Sequence, residues 1–164
     1  MCDLETTGLD PTTDRITAIG IKGKNKDQEV EHVYADPDER KLLEEFWSFM
    51  DQQAVPPTLV TYNGVGFDLP FLRLRSLAHN LKPKWLGNLD TIDLMRVLFP
   101  YGAQNRSKDD VCRALGIPQA NGLTGKDMPG LWAEGKLDQI VEHCLDDIRR
   151  QWTLFQRMRE AGLA

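Results

Sequence analysis

Four acidic side chains and one histidine carry the chemistry that this chain could perform: Asp3, Glu5, Asp68, His143 and Asp147. Asp3 and Glu5 flank Leu4, and in an extended strand residues two apart point to the same face. The two acids would project together while Leu4 enters the core. Like charges held that close repel by kilocalories at protein dielectric, so a compensating charge is required. A hard divalent cation with oxygen donors is the natural candidate. Taken alone, the pair also fits an exposed edge strand with both carboxylates in water. Asp68 follows Tyr62-Asn63-Gly64-Val65-Gly66-Phe67, where a strand gives way to a helix. His143 and Asp147 are four residues apart, one turn along a helix. In isolation such a pair is equally a surface hydrogen bond. Asp146 competes with Asp147 for the place of fourth ligand, but lies farther round the helix from His143.

The elements that must position these groups alternate between strand and helix. Thr6 to Asp14 is turn-rich, so the chain leaves the first strand as a loop. Arg15 to Gly23 sets Ile16, Ala18 and Gly20 against Thr17, Ile19 and Ile21, the pattern of a largely buried strand. Lys24 to Asp27 reads as a polar turn, and Val30 to Tyr34 completes a hairpin. Asp36-Pro37-Asp38-Glu39 has the signals of a helix start. Leu42, Leu43, Phe46, Trp47, Phe49 and Met50 follow at helical spacing, and Pro56-Pro57 ends the run. Thr58 to Tyr62 predicts a buried strand. Leu69 to His79 predicts a helix with Leu69, Leu72 and Leu77 inward and Arg73 and Arg75 outward. Leu89 to Leu94 predicts a short strand. Ser107 predicts a helix N-cap with Asp110 at the third helical position, and the helix closes at Leu115-Gly116. Residues 121–135 read as Gly-rich and irregular. The last helix, Leu137 to Met158, places Leu137, Val141, Cys144, Leu145, Ile148, Trp152 and Phe155 in one core-facing stripe, with His143 and Asp147 along its margin. A hairpin followed by strand–helix alternation gives an α/β mixed sheet with helices on its faces.

Composition narrows the class. The 164 residues fit one domain, and 41% hydrophobic residues suffice for a packed core. No apolar run approaches the ~20 residues that cross a bilayer, and no signal peptide precedes the acidic pair. The expectation is an intracellular, cytoplasmic protein. Cys2, Cys112 and Cys144 are an odd, scattered set without CxxC spacing, which points to buried thiols rather than a disulfide or zinc framework. The net charge of -5 argues against electrostatic wrapping of nucleic acid, yet does not exclude it where a metal neutralises the acids.

Three motifs, in this order, resemble those of the DEDD superfamily of 3′–5′ exonucleases. They are Asp3-Leu-Glu-Thr-Thr-Gly8, Asn63-Gly-Val-Gly-Phe-Asp68 and His143-Cys-Leu-Asp-Asp147, and together they span nearly the whole chain. The resemblance is nearest to exonucleases related to the proofreading domain of family B DNA polymerases. It rests there on Tyr62-Asn63-Gly64 ahead of Phe67-Asp68-Leu69-Pro70, and on Cys144-Leu145 in the third motif. It implies a ribonuclease H-like fold, antiparallel in its first three strands and then parallel, in a single exonuclease domain over residues 1–164. In that branch a Tyr precedes the last Asp with three residues between them, and here His143 occupies the Tyr position. The histidine-type branch would place its acid at Ile148. The spacing is thus of one type and the residue of the other, leaving open whether His143 acts as a base or only positions water. Members also carry several apolar residues before the first acid, where this chain has Met1 and Cys2. The first strand is therefore expected to be truncated, or to continue from a longer chain.

By the same resemblance, the metals are two Mg²⁺ or Mn²⁺ ions. Asp3 would be shared by both, Glu5 and Asp147 would hold one, and Asp68 would steady the other, partly through water. Thr6, Thr7, Gly8 and Leu9 would grip the terminal nucleotide, with Leu9 wedged against the last base. Asn63 belongs to the same substrate set. Phe67 would stack on a base, although ordinary core packing is an equal account of it. Arg73, Arg75, Arg106 and Lys108 are candidate phosphate guides or simply solubilising. The implied substrate is the 3′ end of single-stranded nucleic acid, with DNA favoured over RNA and nucleoside 5′-monophosphates as product. An exoribonuclease, an inactive nucleic-acid-binding domain of the same fold, and a ribonuclease H-type endonuclease or integrase are the alternatives.

Overall fold

Alternation at period two builds the sheet, and small residues let a helix lie against it. The computed structural model describes residues 1–25, 28–100 and 106–164. Strand β1 (Cys2–Thr6) pairs antiparallel with β2 (Ile16–Asn25), and β2 with β3 (Gln28–Ala35). The polar turn expected at Lys24 to Asp27 falls partly outside the described residues. In β2, Ile19 and Ile21 enter one core while Ala18 enters the other. Gly20 is on the Ala18 face. A Cβ there would come within 2.7 Å of Ile148 Cγ2 and 2.8 Å of Cys144 Sγ, so only glycine admits this approach.

Helix α1 (Glu39–Asp51) starts at Asp38, whose side chain accepts from the Arg40 amide. It packs with α2 (Asp68–Ala78) over the face that holds Leu4, Ile19 and Ile21. Trp47 Nε1 donates to Ser76 Oγ at 2.8 Å and ties the two helices. Strands β4 (Thr58–Thr61) and β5 (Asp90–Asp93) form a parallel pair, followed by α3 (Leu94–Leu98), α4 (Lys108–Ala114) and α5 (Met128–Ala133). Helix α6 (Leu137–Glu160) crosses the opposite face of β1 and β2. The antiparallel ladder and the parallel pair are separate, and α6 joins them. Gln151 Nε2 donates to the carbonyl of Cys2 in β1 (3.2 Å) and to that of Val60 in β4 (3.0 Å).

Several local expectations are corrected. Leu77 is 61% exposed, because Ser76 takes the inward place in order to meet Trp47. Arg75 is not a free outward cation: its guanidinium donates to both oxygens of buried Glu39. The segment expected to be irregular contains α5, which tolerates Pro129 because its first turn needs no amide donor there. Strand β5 starts at Asp90 and ends at Asp93, where Asp93 caps α3 through the Met95 and Arg96 amides. The face of α6 is rotated from the expected stripe. Ile140, Leu154 and Met158 are buried, whereas Val141, Leu145, Trp152 and Phe155 are only half-buried. His143 and Asp147 lie within the buried face rather than along its margin. The apolar residues alone place the stripe's centre wrongly, since the missing part of the face is polar: His143, Asp147, Arg150 and Gln151. The three thiols are free and buried, and no helix among the described residues is long and apolar enough to cross a membrane.

Candidate active site

Strand β1 presents Asp3 and Glu5 on its α6 side, because Leu4 between them faces the α1 core. Asp3 is registered opposite Gly20, and Cys144 Sγ of α6 contacts the Asp3 carbonyl at 3.9 Å. The close approach that Gly20 permits therefore sets α6 directly over the two acids. His143 Nε2 then lies 3.8 Å from Glu5 Oε1 and 3.6 Å from Asp147 Oδ2. Asp147 points into this place, whereas Asp146 accepts from the Ala120 amide at 3.1 Å. Asp68 opens α2 and is buried. The turn before it is held by Asp93, which accepts from the amides of Asn63 (2.9 Å) and Val65 (3.2 Å). Asn63 itself has a φ of 62°, the left-handed conformation that asparagine tolerates better than most residues.

Electrostatics record how close these acids are. Burial raises Glu5 well above the ordinary carboxylate range, with the charges of Asp3 and Asp147 adding to it. Burial and then Asp3 do the same to Asp68. Asp3 is raised by burial and by Asp147, against the opposing pull of Lys108. On Asp147 burial acts upward but is outweighed, chiefly by Lys108 and then His143, so its carboxyl is held below the usual value.

Lys108 is the residue that sequence reasoning placed on the surface. The structure places it inside the site, with a side chain only 14% exposed. Its Nζ lies 2.6 Å from Asp147 Oδ2 and 3.0 Å from Asp3 Oδ2. Ser107 delivers it there: its hydroxyl accepts from the Asp110 amide (3.1 Å) and donates to Asp110 Oδ2 (2.8 Å), the capping box expected from the sequence. Tyr62 fixes the approach to this cap by donating to the Arg106 carbonyl at 2.7 Å. Arg150, also missed, donates to Asp147 Oδ1 (3.2 Å) and to Asp109 Oδ1 (2.7 Å). Among the described residues, two cations thus face four acids, one of them shared with Asp109. Lys108 is 105 residues from Asp3 and shows no local spacing to detect, whereas Arg150 stands three residues from Asp147 on the same helix, a spacing that could have found it.

A cleft of about 590 Å³ opens beside these groups. Glu5, Thr6, Gly8, Leu9, Asn63 and Phe67 line one part of it, and Ser107, Lys126 and Pro129 another. Leu9 is 84% exposed and free to meet a ligand. Phe67 both lines the cleft and packs on Phe71 at 4.9 Å between ring centroids. Thr7 does not line it. Its hydroxyl accepts from the Arg15 amide (3.1 Å) and meets Asp14 (3.4 Å), which shapes the loop instead. Thr6 donates to the Gly8 carbonyl at 2.6 Å. A Cβ at Gly8 would fall 2.3 Å from Asp14 Oδ2, so a larger residue there would have to displace the Asp14 carboxylate from the loop.

The donor set fits a divalent cation. Carboxylates are hard oxygen ligands, and three of the four acids sit at raised pKa because burial leaves their charge under-compensated. Ligand atoms of Glu5, His143 and Asp147 all lie within 4.8 Å of one another.

Comparison with known proteins identifies the family and the fold. A family model described as predicted 3′–5′ exonuclease related to the exonuclease domain of PolB matches residues 9–162, starting just after the first acidic pair. An uncharacterized protein of Methanocaldococcus jannaschii is 35% identical over 173 aligned positions, covering 98% of this chain and 95% of that protein. The family B DNA polymerase of Pyrobaculum calidifontis superposes with a TM-score of 0.78 at 20% identity, over 96% of this chain and 24% of the polymerase. Exonuclease I of E. coli, in complex with a dT13 oligonucleotide, superposes with a TM-score of 0.56 at 18% identity, over 96% of this chain and 42% of that one. The chain therefore spans about a quarter of the polymerase and two fifths of exonuclease I. At such identities these likenesses speak to the fold, which is the ribonuclease H-like α/β arrangement.

Proposed function

This chain belongs to the family of predicted 3′–5′ exonucleases related to the exonuclease domain of PolB, and from that premise we propose that it trims single-stranded nucleic acid from the 3′ end, DNA in preference to RNA, using two divalent cations, Mg²⁺ or Mn²⁺. The observation that supports this reading is the meeting of Asp3, Glu5, Asp68 and Asp147 from β1, α2 and α6, all buried, with Lys108 and Arg150 the cations seen bonded to them among the described residues. Asp3 would be shared between the ions, Glu5 and Asp147 would hold one, and Asp68 the other. Ions of this class stabilise charge on a phosphodiester under attack and ease deprotonation of water.

The rest falls to the chain's own residues. The 3′-terminal nucleotide would lie in the cleft that Glu5 lines, so the scissile phosphate meets the acids from the cleft side. Exposed Leu9 would wedge the last base and Phe67 would stack on it, a contact worth about 1–3 kcal/mol where made. Gly8 and Asn63 offer close backbone approach on the same wall. Thr6 and Thr7 hold the loop in shape through Gly8, Asp14 and Arg15. Exonuclease I is seen with a DNA oligonucleotide, which favours the DNA arm here. Hydrolysis in this direction releases nucleoside 5′-monophosphates.

The second reading is a nucleic-acid-binding domain that has lost catalysis. Lys108 favours it, because its ammonium already supplies part of the charge that an ion would bring to Asp3 and Asp147. One digestion separates the readings. Single-stranded DNA and RNA oligonucleotides, 5′-labelled, are incubated with Mg²⁺, Mn²⁺ or a chelator, beside circular and 3′-blocked controls. Stepwise shortening of free 3′ ends, abolished by chelator and by Asp3→Asn, is the expected result. Binding without shortening would leave the inactive reading, and cleavage of circles would indicate an endonuclease.

A further inference from the structure

We propose that His143 is an inner-sphere nitrogen ligand of the ion held by Glu5 and Asp147, which makes that position a transition-metal site selective for Mn²⁺ over Mg²⁺. The inference rests on the reading of these acids as a metal centre and gives His143 a role there other than the proton acceptor expected from its sequence position. His143 is 2% exposed, and neither ring nitrogen has a hydrogen-bond partner among the described residues. A buried imidazole without partners is costly unless something else engages it. Its Nε2 is aimed between Glu5 Oε1, at 3.8 Å, and Asp147 Oδ2, at 3.6 Å. Both contacts are too long for hydrogen bonds. Donors held about 2.0–2.2 Å from one ion lie no more than ~4.4 Å apart, so both spacings suit three ligands sharing one cation.

The ring's other side points the same way. Among the described residues no carboxylate or carbonyl accepts from Nδ1, so none of them orients the imidazole or raises the basicity of Nε2, as a catalytic base requires. A neutral ligand needs only a lone pair and a cation. Imidazole suits borderline transition ions, whereas Mg²⁺ demands an all-oxygen octahedron and keeps its waters. Asp147 Oδ2 is also the atom that Lys108 approaches to 2.6 Å, so the ammonium and the ion contend for one oxygen.

The test reads the metal, not the nuclease. The purified protein is loaded with one equivalent of Mn²⁺ and studied by pulsed EPR, once with natural-abundance nitrogen and once with ¹⁵N-histidine. A hyperfine coupling of directly bound imidazole, changed by the isotope, is the expected result. In parallel, calorimetric titration with Mn²⁺ and Mg²⁺ compares the native chain with His143→Gln. The variant is expected to lose about 10–100-fold in Mn²⁺ affinity, the scale of a disturbed ligand set, with Mg²⁺ affinity changed much less. Mn²⁺ bound with oxygen ligands only would overturn the inference and leave the metal-dependent exonuclease reading intact. Failure to bind either ion would overturn both. The isotope comparison uses the unaltered sequence and stands even if the variant does not fold.

Discussion

Removing the ammonium of Lys108 should destabilise the metal-free protein severely and the metal-loaded protein hardly at all. Its Nζ lies 2.6 Å from Asp147 and 3.0 Å from Asp3, with the side chain 14% exposed. At an effective dielectric of about 20, each such contact is worth about 5 kcal/mol of attraction, most of it offset by desolvation. What Lys108→Met exposes is the other side of the ledger. Deleting one partner of a buried ion pair leaves uncompensated charge and costs about 3–5 kcal/mol. In a chain of this size each kcal/mol moves Tm by about 2–4 °C, so the chelated variant should melt ~6–20 °C below the native protein. Saturating Mn²⁺ restores positive charge to the same oxygens, and the gap should close to a few degrees. By linkage, the closing gap must reappear as tighter Mn²⁺ binding by the variant, at least tenfold by calorimetry. Differential scanning calorimetry of both proteins, with chelator and with Mn²⁺, completes the cycle. An equal loss of Tm in the two conditions would refute the reasoning, because Lys108 would then be acting as packing rather than as a counter-charge.

Three further outcomes are expected. Gly20→Ala must push α6 off β2, since its Cβ would meet Ile148 and Cys144 at 2.7 and 2.8 Å; a loss of about 1–3 kcal/mol in a thermal melt, with weaker metal binding, checks it, and a native Tm would contradict the close approach. Burial raises the pKa of Asp68, so its protonated form favours the fold at low pH, and that contribution fades as pH rises from about 3.9 toward the raised value. Asp68→Asn should therefore match or exceed the native Tm in chelator at pH 7 while trimming falls by about 10²-fold or more; a clear drop in Tm would count against the electrostatic account. On Glu39 burial acts upward but is outweighed by bonds from Arg75, His79 and the Ile16 amide, so its pKa is depressed. Its contribution is present above about 4.3 and is lost as pH falls through the lower folded value. Glu39→Gln should cost about 2–4 kcal/mol at pH 7 and flatten the acid limb of a pH–stability curve; an unchanged limb would argue that another carboxylate governs it.

Much of this was legible in the residues. Asp3-Leu4-Glu5 declared a strand with two acids on one face, and the alternation in Arg15 to Gly23 declared a largely buried strand. The capping box at Ser107 and Asp110 was visible too. What escaped has physical causes. Periodicity counts only apolar residues, so a helix face completed by His143, Asp147, Arg150 and Gln151 was centred wrongly. Residues 121–135 read as Gly-rich and irregular, although Pro129 falls in the first turn of α5, which has no use for the missing amide. The inward turn of Arg75 depends on Glu39, and that of Lys108 on Asp3 and Asp147, partners 36 and more residues distant in sequence. Asp93 was equally hidden, since its bonds to Asn63 and Val65 join two strand ends that come together only in the parallel pair.

Helix α6 carries Asp147, the last of the four acids, and this gives the molecule an order of assembly. A polypeptide leaves the ribosome from its amino end, with Asp3 and Glu5 made first and Asp68 soon after. None of these can share a cation with Asp147 until the segment beyond residue 140 has emerged and settled over Gly20. A half-made chain consequently cannot bring the four carboxylates together.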